Sequence, residues 1–369
     1  MKKVLLVFGT RPEAIKMCPL VNELETHSGI FETLVCVTGQ HRQMLDQVLE
    51  AFGVTPAYDL AIMKDGQSLS HVTSKVLIGL GSVLEAEQPD LILVHGDTTT
   101  SFAAALAAFY HGVAVGHVEA GLRTYNLRSP FPEELNRQAV DLMSDYFFAP
   151  TELSKAALLK EGKPESHVFV TGNTGIDALN TTVRKDYSHP YLDWLGSDRL
   201  ILLTAHRREN IGEPMSQMFR AIRRVVEETP EVKVIYPIHM NPRVRSIAVA
   251  ELAGEERIRL VDPLDVLDFH NFMARSHLIL TDSGGIQEEA PSLGVPVLVM
   301  RDTTERPEGV QAGTLRLVGT REGAIYANFR ELLSDADLYA RMSGVANPYG
   351  DGKASQRIAS ILMRVLRAP

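Results

Sequence analysis

Asp282-Ser283-Gly284-Gly285 closes the apolar run Leu278-Ile279-Leu280 and leads directly into a helix-like segment opening at Ile286. A strand that ends in Ser-Gly-Gly and continues as a helix makes an anion site. Glycines lack a Cβ, so the chain can turn sharply and bring backbone N–H groups close to a bound oxygen. The helix start adds unpaired N–H donors and the positive end of its dipole. The next apolar run, Val295 to Met300, delivers Arg301, Glu305 and Arg306. This chemistry suits a phosphate or diphosphate. The competing reading is a plain turn whose glycines serve packing.

Other reactive residues also follow short apolar runs. The first half of the chain offers Arg11, Gln40, Asp97 and Glu119, with Glu133 on a long loop. The second half offers His206, Arg207, His239, Ser283, Gly284, Gly285 and Arg306. Carboxylates dominate one half, and cationic or phosphate-binding groups the other. A ligand that fits carries a diphosphate on one side and a neutral reacting group on the other, as a nucleotide sugar in an interdomain cleft does. Each residue taken singly has a structural role open to it. Asp97, before three threonines, could cap a helix. Glu119 could pair with Arg123. Glu133 could be a first-turn carboxylate favoured by the helix dipole. His206 could simply be solvated. No His or carboxylate spacing matches a metal loop.

The elements that position these residues are legible as alternation. Apolar strand-like runs at 4–8, 31–38, 91–94, 113–121 (a strand with its loop), 146–149 and 168–171 alternate with helical segments at 14–26, 70–87, 101–111, 136–143 and 151–161. The pattern restarts with strands at 200–204, 232–236, 258–260, 278–280 and 295–300. Short βα connections of this kind predict parallel, doubly wound sheets, so the fold class expected is α/β with two Rossmann-like domains facing across a cleft. The expected boundaries are 1–175 and 176–353, and the chain closes with an amphipathic helix from Ala354. The loop 122–134 is long for a compact domain, and such loops are often functional.

The 369-residue length agrees with two domains, each able to bury a core. Net charge is −9 with no Lys/Arg block, which argues against nucleic-acid binding through a basic surface. Cys18 and Cys36 alone exclude a disulfide framework. The opening MKKVLLVFGT has too short an apolar run for a signal peptide and reads as a first strand. No stretch reaches membrane-spanning length, so a cytoplasmic protein is expected. The turn after the first strand, Gly9-Thr10-Arg11-Pro12-Glu13, is not a GxGxxG fingerprint, and no dinucleotide cofactor is expected.

Eight stretches together resemble the non-hydrolysing UDP-N-acetylglucosamine 2-epimerases of bacteria. They are GTRPEAIKM (9–17), QHRQMLDQ (40–47), VHGDTTT (94–100), GHVEAGLRT (116–124), SPFPEELNRQ (129–138), TAHRREN (204–210), TDSGGIQEEAPSLGVPVLVMRDTTERPE (281–308) and NPYGDG (347–352). The resemblance covers nearly the whole chain. It implies the glycosyltransferase B architecture, in which a C-terminal helix, here 354–369, packs back to complete the first domain, and a reversible interconversion of UDP-N-acetylglucosamine and UDP-N-acetylmannosamine that supplies cell-surface polysaccharide synthesis. It also implies a homodimer.

Carried over by position, the resemblance makes Asp97, Glu119 and Glu133 catalytic carboxylates, with Glu119 or Glu133 handling protons, and His206 a catalytic histidine near the diphosphate. Arg11, Lys16, Ser283, Gly284, Gly285 and Arg306 are implied at the diphosphate, Glu289 at the ribose and Phe269 near the uracil. A second UDP-N-acetylglucosamine, acting as activator, is implied at Gln40, Gln43, Glu133, Arg207 and His239. Gly66 stands where family members that carry an activator-binding arginine have that residue, so weaker activation is expected. The chemistry is consistent with these residues. C2 of the sugar is not beside a carbonyl, so its proton is removable either through transient oxidation by NAD, for which the fingerprint is missing, or by expelling UDP to give 2-acetamidoglucal. The alternatives are a hydrolysing epimerase, a glycosyltransferase on the same scaffold, and a nucleotide-sugar sensor.

Overall fold

The computed structural model describes residues 1–39, 42–62 and 66–366. The chain divides into two compact units, Met1–Thr181 with Tyr349–Pro369, and Thr182–Pro348.

The first unit is built on β1 (Lys2–Phe8), β2 (Phe31–Val37), β3 (Tyr58–Asp59), β4 (Leu91–His95), β5 (Ala114–Val118), β6 (Tyr146–Ala149) and β7 (Val168–Val170). These pair in parallel in the order β3-β2-β1-β4-β5-β6-β7. Val4 to Phe8 and Leu91 to Val94 are wholly buried. Helices cover both faces of such strands, which is why they read as unbroken apolar runs rather than alternating ones. The helix Arg11–Glu25 starts where Thr10 and Glu13 form a reciprocal capping box, with Pro12 in the first turn. The helix Thr99–Tyr110 is capped by Thr98, and its buried alanines let it lie close against the helix Leu69–Glu87.

The last described helix, Ala354–Val365, packs on Arg11–Glu25 and buries Ile358, Ala359 and Leu362. Lys353 offers it no side-chain cap. Asp177 does so from a distance, accepting from Ala354 N at 3.0 Å and Ser355 N at 2.6 Å.

The second unit holds β8 (Arg199–Thr204), β9 (Val232–Pro237), β10 (Ile258–Val261), β11 (Leu278–Thr281), β12 (Val297–Val299) and β13 (Leu315–Leu317). Their order is β10-β9-β8-β11-β12-β13, again parallel. Leu203, Leu280 and Tyr236 from the sheet pack with Phe219, Ile222 and Phe329 from the helices Glu213–Glu228 and Glu322–Ser334. Each unit is therefore a doubly wound α/β layer structure, as the alternation predicts. Strand order reverses between β1 and β4 in the first unit and between β8 and β11 in the second. The carboxyl ends of strands at such a reversal splay their loops apart and leave a crevice where ligands bind.

Candidate active site

At the first reversal, β1 leads to Arg11 and β4 to Asp97, while the neighbouring β5 leads to Glu119. Glu119 is a non-glycine residue at φ +68°. Such left-handed backbone is unfavourable by roughly 1–2 kcal/mol and concentrates at functional sites. Its backbone N–H donates to Phe148 O at 3.1 Å, and its side chain lies among polar partners. Lys16 Nζ is 2.5 Å from Glu119 Oε1, and Asn173 Nδ2 donates to the same oxygen at 3.2 Å. His95 Nε2 is 3.5 Å from Glu119 Oε2. Burial brings the His95 pKa down to about 3, so its ring is neutral.

Gly96, at φ +62°, leaves room here, because a Cβ on it would stand 3.0 Å from Glu119 Oε2. Asp97 is fixed from the helix Glu133–Met143. Arg137 reaches Asp97 Oδ2 at 2.6 Å, and Asn136 Nδ2 donates to the Asp97 carbonyl at 2.9 Å. Glu133 opens that helix, and the buried Glu134 beside it accepts from Thr124 N at 3.0 Å and Tyr125 N at 2.8 Å, anchoring the long loop.

At the second reversal, β8 leads to His206 and Arg207 and β11 to Asp282, Ser283 and Gly284. The fully buried Asp282 is the joint. It accepts from His206 N at 3.0 Å, Arg207 N at 2.9 Å and Asn210 Nδ2 at 3.1 Å. Its own carbonyl accepts from Arg207 Nε at 2.7 Å. The His206 ring stacks on His239 at 5.1 Å and 10°. Burial, aided by the His239 and Arg207 charges and opposed by Asp282, holds His206 below the ordinary imidazole value.

Arg306 Nε donates to Glu288 Oε1 at 2.7 Å. Burial would raise the Glu305 carboxyl, but the Arg301 hydrogen bond and the Arg301 and Arg306 charges outweigh it and bring Glu305 to about 2. Glu289 Oε2 lies 3.7 Å from His270 Nε2, and Phe269 precedes His270 on the helix Val266–Arg275.

Two expectations about the Ser-Gly-Gly turn change. The helix opens at Gly284, not Ile286. Neither Gly284 nor Gly285 takes a positive φ, so the turn does not draw on glycine's extra backbone freedom. What Gly284 supplies is space, since a Cβ there would stand 2.9 Å from the Arg306 guanidinium. Glu119 pairs with Lys16, while Arg123 pairs with Asp141 and Glu161.

In the first unit, Arg11 and Asp97 follow the two strands of one reversal, Glu119 pairs with Lys16 after the neighbouring strand, and Glu133 opens the helix that holds Asp97. In the second, His206, Arg207, His239, Ser283, Gly284, Gly285 and Arg306 gather around the other, with Glu289 beside His270. Gln40 lies outside the described residues, and so does the side chain of Gln43, which belongs to the helix Arg42–Phe52. Sequence reading missed Asn173, His95 and Glu13. Glu13 is buried and accepts from Gly9 N, Thr10 N, Thr98 Oγ1 and Ser101 Oγ, tying the loops after β1 and β4 together. Its place three residues after Thr10 is a capping-box signal that could have drawn notice. Among the described residues no group of three His, Cys, Asp or Glu could hold a metal ion, and no helix is long and apolar enough to cross a membrane.

A family model described as UDP-N-acetylglucosamine 2-epimerase matches residues 22–363. The UDP-N-acetylglucosamine 2-epimerase of Bacillus subtilis is 62% identical over 361 residues, covering 98% of this chain and 95% of the relative. The structure of MnaA from S. aureus with UDP superposes with a TM-score of 0.93 at 51% identity, covering 99% of this chain and 97% of the other. That of UDP-GlcNAc 2-epimerase from Neisseria meningitidis bound to UDP-GlcNAc superposes at 0.91 and 49% identity, covering 98% and 100%.

Proposed function

The chain belongs to the UDP-N-acetylglucosamine 2-epimerase family, and from that premise we propose that it interconverts UDP-N-acetylglucosamine and UDP-N-acetylmannosamine without releasing free sugar. In the forward half-reaction the bond from C1 to the diphosphate oxygen breaks, and its electron pair leaves on UDP. A carboxylate takes the C2 proton, and the C1–C2 double bond of 2-acetamidoglucal forms. In the return, C2 receives a proton on its opposite face and UDP adds back to C1. Glu119 or Glu133 handles the protons, with Asp97 as the third carboxylate.

Ser283, Gly284, Gly285 and Arg306 hold the diphosphate, with Arg11 and Lys16 at it or close by. Glu289 takes the ribose hydroxyls and Phe269 the uracil. His206 stabilises charge on the departing UDP. Its lowered pKa makes it a neutral N–H donor at neutral pH rather than a cation.

The observation that carries this reading is the Lys16–Glu119 pair at the end of β5. A largely buried carboxylate on strained backbone, with its charge balanced by one lysine, is suited to exchanging a proton with a neutral sugar carbon. The test is an NMR time course in deuterated solvent with UDP-N-acetylglucosamine as sole substrate. Epimer carrying deuterium at C2 is the expected result. Free N-acetylmannosamine from the outset indicates a hydrolysing enzyme, turnover only with an acceptor a glycosyltransferase, and tight binding without exchange a sensor.

Arg306→Ala is expected to weaken UDP binding by about 1.5–3 kcal/mol, the scale of a hydrogen bond to a charged group. Calorimetric titration with UDP measures it, and an unchanged dissociation constant moves the diphosphate elsewhere. Arg207 and His239, with Gln40, Gln43 and Glu133, form the proposed site of a second, activating UDP-N-acetylglucosamine. Gly66 in place of an arginine there favours weak activation. A cytoplasmic homodimer supplying cell-surface polysaccharide precursors completes the proposal.

A further inference from the structure

Beneath the carboxylates of the first unit lies an ion cluster that the proposed chemistry does not use. His117 on β5 and Asp141 on the helix Glu133–Met143 are both fully buried. His117 Nδ1 meets Asp141 Oδ1 at 2.6 Å, and Nε2 meets the Gly96 carbonyl at 2.8 Å. Burial would raise the Asp141 carboxyl, but the His117 and Arg123 charges and hydrogen bonds outweigh it and hold it below the ordinary range. Both ring nitrogens of His117 are therefore engaged, one by the Asp141 carboxylate and one by the Gly96 carbonyl. The other Asp141 oxygen accepts from Arg123 at 2.6 Å and from Gly121 N at 3.3 Å.

The ring is thus a strut with two fixed ends. One end grips the residue before Asp97. The other grips the helix that begins at Glu133 and holds Asp97 through Arg137 and Asn136. The strut itself stands two residues before Glu119 on the same chain, and Asp141 also holds Gly121, two residues after it. Every element that carries one of the three carboxylates meets at this imidazole. Gly96 N in turn donates to Val118 O at 2.9 Å, closing the loop against β5.

We propose that His117, clamped by Asp141, is a positioning residue that fixes Asp97 and Glu119 relative to one another for proton transfer at C2. This rests on the reading that those carboxylates act on the sugar. Stability alone is a weaker account of the pair, because buried ion pairs are often replaceable by apolar residues without loss. Geometry is a different matter, since a shift of about 1 Å in a reacting group can lower a rate by roughly 10²-fold.

The test compares His117→Gln and Asp141→Asn with Glu119→Gln in the full chain. Each variant is assayed by circular dichroism, UDP calorimetry, and NMR of epimer against released 2-acetamidoglucal. The expected result for His117→Gln and Asp141→Asn is folded protein, UDP affinity within about twofold, and kcat reduced by roughly 10²-fold. The ratio of released glucal to epimer should rise, because a misplaced acid fails to return the proton before the intermediate escapes. Wild-type kcat and ratio in both variants overturn the proposal. So does failure of both to fold, or a loss of kcat that only parallels the loss of folded protein at an unchanged ratio, because these assign the pair to stability. Activity retained by Glu119→Gln refutes the underlying reading instead, whatever the other two variants do.

Discussion

Glu119→Gln is expected to lower kcat for epimerisation by roughly 10²–10⁴-fold, the range supplied by a positioned acid or base. The substitution is nearly isosteric and keeps the same backbone, so the strain at φ +68° is present in both proteins and cancels in the comparison. What it removes is the capacity to take a proton, together with the charge opposite Lys16 at 2.5 Å. Lys16 and Glu119 side chains are only 12% and 10% exposed, so water replaces the lost partner poorly. The proposed diphosphate contacts at Ser283 to Gly285 and Arg306 are untouched, and UDP affinity should change little. Rates by NMR and affinity by calorimetry separate the two effects. A kcat within a few-fold of the parent enzyme removes Glu119 from its role.

Asp282→Ala has the largest expected effect on stability. The carboxylate is fully buried and accepts from His206 N, Arg207 N and Asn210 Nδ2. Alanine leaves those donors facing a small void. Removing one side of a buried, charge-assisted network is destabilising by about 3–5 kcal/mol. For a unit the size of Thr182–Pro348 this lowers the thermal midpoint by roughly 10 °C. The loop bearing His206 also loses its attachment to the Ser283 turn, so UDP binding should weaken in protein that remains folded. Calorimetric unfolding and UDP titration check both, and a midpoint within about 2 °C of the parent's contradicts the network's importance.

The parts of this fold that can be read from sequence are those buried on two sides. Val4 to Phe8, Leu91 to Val94, Leu200 to Leu203 and Leu278 to Leu280 are near-continuous apolar runs because helices cover both faces. The parts that escaped are marginal to the core. β13 at the sheet edge is Leu-Arg-Leu, with the Arg316 guanidinium turned to Glu331 and Asn328. β3 has two residues, and the helix Pro242–Leu252 buries only Val244, Ala248 and Leu252. Such segments take their form from tertiary packing more than from pattern.

The site divides similarly. Arg11, Asp97, Glu119, His206 and Ser283 are findable because each directly follows a readable strand. Asn173 lies at the edge of the expected first domain, yet it donates to Glu119 across 54 residues of sequence. The role of Asp282 likewise depends on partners more than 70 residues away. No local spacing announces a hydrogen bond of that range.

The cap that Asp177 places on Ala354 and Ser355 has a consequence for biosynthesis. Domains generally fold in the order in which a ribosome delivers them. Here Thr182–Pro348 is contiguous and has all its residues before Tyr349 emerges, whereas the unit begun at Met1 still lacks its closing helix. The unit begun first is the one finished last, and a message truncated near codon 348 would yield a chain with that earlier half left open.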